Sequence, residues 1–247
     1  NILYYFINNI QFNLLLKLNN LERCEKLIML EPELLLNDIT KFDKGKRARY
    51  HNNNGLGIPS VTELLSFIDS EGLINWANVI GRKGQDNREV VSNAAKFGTM
   101  VHESIEKYLK RKEVKNVNVC LDSFKDWWDG MNAYHRIRIL GQEQSLVCDY
   151  FGGTYDLLIS IDDKPYLIDF KTSNHVSYKY FMQLAAYRYL LYMNKNINIE
   201  GCIVLQFDKK DKKYREFNLS FSDPYDYEFI ENCYRAFMGL VYTYYNV

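Results

Sequence analysis

Residues 155–172 constrain the fold of this chain most. Two apolar, β-branched runs, 155–161 and 166–172, flank the turn-forming residues Asp162, Asp163, Lys164 and Pro165. That pattern predicts a β-hairpin. Strand side chains alternate between faces, so Leu167, Asp169 and Lys171 point one way and Tyr166, Ile168 and Phe170 the other. An acid and a base therefore share a face. Asp156 opens the partner strand, and antiparallel pairing would bring its carboxylate close to that of Asp169. Two adjacent carboxylates repel unless a cation or a proton sits between them. With Lys171 beside them, the simplest reading is a site for a hard divalent metal and a phosphate. The alternative is an ordinary hairpin whose acids and lysine are solvated or paired.

The 247 residues, 47% of them hydrophobic, suffice for one large globular domain with an extension. The formal net charge is zero, so nucleic-acid binding would depend on local basic patches rather than on an overall field. Cys24, Cys120, Cys148, Cys202 and Cys233 show no CxxC spacing, which predicts reduced thiols in an intracellular protein. Residues 1–18 are apolar but interrupted by Asn8, Asn9, Gln11, Asn13 and Lys17, too polar and too short for a membrane span. They read as a packed helix, followed by a second helix over 21–36 and a basic cluster at Lys44, Lys46, Arg47 and Arg49. That cluster is either a solvated loop or a phosphate contact. The turn-rich run 52–57 marks a linker, so we place a helical N-terminal extension at 1–57 and a second domain at 58–247.

Ser60 and Glu63 have capping-box spacing, and Leu73, Trp76, Ala77 and Ile80 form an apolar helical stripe. From Gly98 a helix is expected, with Val101, Ile105, Tyr108 and Leu109 on one face and His102 and Glu106 on another. Gly98 would sit at the helix start, where free N–H groups can meet a phosphate. Lys107, Lys110, Arg111, Lys112 and Lys115 make a basic run, solvated or facing nucleic acid. A helix over 121–134 contains Trp127 and Trp128, at least one of them in the core. A strand over 141–148 carries Glu143, and Gly152 and Gly153 are expected to bend the chain into Asp156. After the hairpin come a helix over 178–193 with Gln183 and Tyr187 one turn apart, strands over 201–207 and 214–219, and an aromatic amphipathic helix over 224–245.

Asp156 followed by Asp169-Phe170-Lys171 resembles the signature of the PD-(D/E)XK nuclease superfamily. Gly98 with His102 ahead of it, Glu143, Thr172 and Ser173 after the lysine, and Gln183 with Tyr187 follow in the order of its RecB-like exonuclease branch, which includes mitochondrial genome-maintenance and phage exonucleases. The likeness runs from about Pro59 to the end of the chain; residues before it have no counterpart. It implies an α/β fold, a restriction-endonuclease-like core with a central mixed sheet flanked by helices. It further implies a metal-dependent deoxyribonuclease, an exonuclease preferring single-stranded DNA with a free end, acting in replication, repair or recombination. In that reading His102, Asp156, Asp169 and the carbonyl of Phe170 hold Mg²⁺ or Mn²⁺. Lys171, Asp156, Asp169 and Glu143 are catalytic, and Gly98, Thr172, Ser173, Gln183 and Tyr187 contact substrate. No iron–sulfur cluster is expected, because the cysteines lack the one-early, three-late pattern of relatives that carry one. The extension would dock a helicase, recombinase or replication partner, or arch over a single strand. The setting would be the cytoplasm, bacterial or phage-encoded, or a mitochondrion. A duplex-degrading recombination exonuclease and a non-catalytic DNA-binding or scaffold module are the alternatives.

Overall fold

The structure, a computed structural model, describes residues 45, 48–68, 77–79, 81–84, 86–115 and 117–246. The chain divides into two compact units, residues 1–38 and 39–245. The helices expected over 1–18 and 21–36 lie outside the described residues, as do Lys44, Lys46, Arg47, Cys24, Leu73, Trp76 and Ile80.

The second unit is α/β. A short ribbon, β1 (Tyr50–His51) and β2 (Gly57–Ile58), precedes α1 (Val61–Ser66), α2 (Asn87–Leu109) and α3 (Val119–Tyr134). Then come β3 (Ile137–Val147), β4 (Gly152–Ile161), β5 (Lys164–Lys171), α4 (Tyr178–Lys195), β6 (Gly201–Phe207), β7 (Tyr214–Ser220) and α5 (Pro224–Asn246). The sheet order is β3-β4-β5-β6-β7, antiparallel throughout except for the parallel pair β5–β6 that α4 connects. No helix among the described residues is long and apolar enough to cross a membrane.

The expected hairpin is β4–β5, closed by a two-residue loop. Asp162 and Asp163 both take positive φ, 49° and 68°, the geometry of the primed turns whose twist matches that of paired strands. Alternation along the strands then divides the sheet. Leu157, Ile159, Ile168, Phe170, Ile203, Leu205 and Phe207 meet α2 and α3 through Val101, Ile105, Cys120, Leu121, Phe124 and Trp127. The opposite face, with Leu158, Leu167 and Asp169, lies under α4, which α5 covers in turn through Phe181–Phe229 and Tyr189–Tyr234 ring contacts. Trp127 is thus core, 2% exposed, and Trp128 is half-buried.

Three local expectations change. Gly98 is not at a helix start: Asp86 caps α2, its side chain accepting from the Arg88 N–H, and the helix former pair Ala94 and Ala95 carries the helix through the glycine. An internal glycine costs about 1 kcal/mol relative to alanine, which the Val101 and Ile105 packing outweighs. Gly152 and Gly153 do not bend the chain; both lie inside β4, paired with Val147 and Leu146. Their missing side chains make room instead, since a Cβ on Gly152 would lie 2.7 Å from the Tyr50 ring and one on Gly153 would lie 2.4 Å from that of Tyr187. The division at 57/58 cuts through the β1–β2 ribbon. Tyr50 is buried against Gly152, and its hydroxyl pairs with Thr154 Oγ1 at 2.9 Å, so the ribbon packs with β4.

Candidate metal centre

The ladder between β4 and β5 runs from the turn to Leu157↔Ile168 and stops there. One step further Asp156 stands opposite Asp169, and its Oδ2 accepts the Phe170 N–H at 2.7 Å in place of a strand partner. Phe170 is fixed for this by its ring, which is edge-on to Phe124 at 5.5 Å and beside Phe207 at 6.0 Å. Its carbonyl lies 3.1 Å from His102 Nε2, so that nitrogen carries a hydrogen and Nδ1 is turned to the acids. Nδ1 is 3.3 Å from Asp156 Oδ1 and 3.8 Å from Glu143 Oε1. Glu143 reaches the group from β3, opposite Asp156 between the pairs Gln142↔Leu157 and Gln144↔Tyr155. Its φ of 48° is left-handed, a conformation that costs a non-glycine residue roughly 1–2 kcal/mol. Strain of that kind persists where the surroundings enforce it and concentrates at functional sites.

His102, Glu143 and Asp156 therefore offer one ligand atom each within 4.8 Å of one another, a candidate metal-binding triad. Asp169 stands beside the triad rather than in it. Lys171 Nζ lies 2.9 Å from Asp169 Oδ1 and 2.8 Å from Oδ2, but the hydrogen bond goes to Oδ1. Oδ2 is buried and receives no hydrogen bond. The buried Asp169 carboxylate is thus ion-paired with Lys171 and stands next to three potential ligands, where a cation would share it. One imidazole and three carboxylates form a donor set for a hard or borderline divalent ion.

Lys171 is held on several sides. Besides Asp169, Nζ donates to Gln183 Oε1 at 3.0 Å and sits 4.7 Å from the Tyr180 ring centre. Gln183 Nε2 donates to the Tyr187 hydroxyl at 3.1 Å. The Gln183–Tyr187 pair thus acts through Lys171. Tyr180 was missed in the sequence, although it lies three residues before Gln183 and so shares its helix face. The Tyr180 hydroxyl donates to Ser173 Oγ, which itself donates to the His175 carbonyl, so Ser173 is used inside its own loop. Gly98 faces Thr172: a Cβ there would lie 3.7 Å from Thr172 Oγ1. Of the basic run at the end of α2, Lys107 and Lys110 pair with Glu103 and Glu106.

The charges are interlocked. Burial alone would neutralise His102, but the charges of Asp156 and Asp169 and hydrogen bonds to Asp156 and Glu143 outweigh it and raise its pKa to about 11. Burial also opposes ionisation of Asp156, yet His102, Lys171 and the Phe170 N–H hold it below the usual carboxylate value. Burial pushes Asp169 up to about 6, helped by the charge of Asp156 and resisted by Lys171. Burial disfavours the Lys171 ammonium, and Asp169 and Asp156 reverse that and keep it charged. In the absence of a metal, the proton on His102 takes the place of a cation between the acids.

Cys120, Cys148, Cys202 and Cys233 are free thiols. No family model and no curated protein matches the chain. A solved structure described as "Crystal structure of SSO0001" aligns with 88% of this chain and 85% of its own, at 15% identity and a TM-score of 0.38.

Proposed function

We propose that the protein is a metal-dependent deoxyribonuclease of the PD-(D/E)XK, RecB-like type, an exonuclease acting on DNA with a free end. The observation that carries this reading is the convergence of His102, Glu143 and Asp156 beside a buried Asp169–Lys171 ion pair. The mixed sheet with its acids on neighbouring strands agrees with such a core. Mg²⁺ or Mn²⁺ held by His102, Glu143, Asp156 and Asp169 would bring positive charge to a phosphate and lower the pKa of water. The nitrogen ligand favours Mn²⁺ slightly.

The protein groups supply the rest. Lys171, kept cationic by Asp169, has its ammonium oriented by Gln183 and by the Tyr180 ring, so it meets a phosphate already ordered. Asp156 is held anionic and cannot serve as an acid at neutral pH. Tyr187, wedged on Gly153, fixes Gln183. Gly98 leaves open the space beside Thr172 where a strand would pass.

The test is degradation of end-labelled single-stranded DNA, beside duplex and covalently closed circles, with Mn²⁺, Mg²⁺ or EDTA. Metal-dependent loss of the linear strand, with circles spared and Asp169→Ala inert, is expected. Faster loss of blunt duplex would assign a recombination exonuclease instead. DNA binding with no cleavage of any substrate would overturn the enzymatic reading in favour of a scaffold.

A further inference from the structure

Lys171, Gln206 and Arg215 form a row across the sheet. Lys171 pairs in register with Gln206 on β6, and Gln206 with Arg215 on β7. Register partners present their side chains on one face, so the three stand side by side at the end of the sheet where Lys171 lies. The middle member is used internally: Gln206 is 3% exposed and its amide donates to the Ser173 carbonyl. The outer member is not. Arg215 is exposed, spends one N–H on the Asn174 carbonyl at 3.0 Å, and makes no ion pair with a described residue. Its neighbours Lys212 and Lys213 are matched with Asp126 and Asp211.

We propose that Arg215 binds a second phosphate of a polynucleotide, distinct from the one that Lys171 addresses. The ligand class rests on the nuclease reading; the position rests on the row. Two strand spacings separate the backbones of Lys171 and Arg215, on the order of 10 Å. Each cation is anchored in its place, Lys171 by Asp169 and Gln183 and Arg215 by the loop carbonyl, so each is held to meet a phosphate of its own. A chain carrying a phosphate on every nucleotide can satisfy both. The guanidinium fork suits this task, because it keeps donors free after the first is used. The site is thereby built for a chain that crosses the loop 172–177 from β5 towards β7, and a mononucleotide would fill only part of it.

The experiment is fluorescence-anisotropy titration of a labelled single-stranded oligonucleotide, in EDTA, over a series of salt concentrations. Arg215→Gln removes the charge and keeps a donor for the Asn174 carbonyl, and Arg215→Lys keeps the charge. Arg215→Gln is expected to weaken binding about tenfold and to lower the salt slope by roughly 0.7, whereas Arg215→Lys keeps the wild-type slope and loses less affinity. Lys164→Gln, the loss of a like charge at the opposite end of β5, should leave the slope unchanged. A slope and affinity equal to wild type in Arg215→Gln would overturn the inference, as would an equal loss in Lys164→Gln. Because no metal is present, binding is read apart from cleavage. A lowered slope in a protein that cleaves nothing would sink the nuclease reading alone. An unchanged slope in a protein that cleaves would sink this inference alone.

Discussion

His102 carries the main electrostatic consequence of the site. Its pKa is raised from 6.5 to about 11, so in metal-free protein the folded state keeps a proton that the unfolded chain releases above about pH 6.5. The stabilisation is therefore fully present below pH 6.5 and is lost as pH rises towards 11. Thermal melts in EDTA from pH 6 to pH 10 should show a falling Tm in wild type and a flatter profile in His102→Gln; parallel profiles would contradict the assignment. A divalent ion must displace the same proton, so Mn²⁺ binding at pH 7.5 should release about one proton. Calorimetry in buffers of different ionisation enthalpy reads that number. Glu143 is the complementary case, an acid whose left-handed backbone gives local strain a use: it turns the carboxylate towards His102.

At the scale of elements, close approach matters more than conformation. Asp156 is delivered by β4 lying flat against β3 and under α4, and Gly153 permits this because the Tyr187 ring rests on its backbone. Gly153→Ala would place a Cβ 2.4 Å from Tyr187 Cε1 and 3.1 Å from Val61 Cγ2. We expect a loss of about 1–3 kcal/mol in urea unfolding, partly restored by Tyr187→Leu. An Ala variant as stable as wild type would show that the ring is free to move. Much of this level was legible in the sequence. The hairpin followed from two β-branched runs around Asp162 and Asp163, the cap of α1 from Ser60 and Glu63, and β6 from a continuous apolar run. What escaped was contact between distant segments. The sequence around Gly98 offered a glycine where a helix start was plausible, and the real start lay at Asp86, where an Asx cap needs no glycine. Nothing local to Gly152 announces that Tyr50 will pack on it.

At the scale of the molecule, the residues singled out along the chain come from α2, β3, β4, β5 and α4 and meet at one end of the sheet. Asp156, Asp169 and Lys171 were legible because strand alternation and pairing put them on defined faces, whereas His102 was singled out by the resemblance. The division of labour was not legible. Spacing does not tell that Glu143 joins the triad while Asp169 turns to Lys171, since that depends on where the β4–β5 ladder ends. Nor does zero net charge reveal Arg215, an exposed cation that makes no ion pair with a described residue. The proposed chemistry depends on the separation of metal holding from phosphate activation, and Lys171→Ala addresses it directly. Mn²⁺ binding, DNA binding and cleavage of end-labelled single-stranded DNA would be measured on the same preparation. The expected result is Mn²⁺ and DNA binding within a few-fold of wild type, with cleavage lower by about 10²-fold or more. Cleavage by Lys171→Ala comparable to wild type would contradict the proposed role of the Asp169–Lys171 pair.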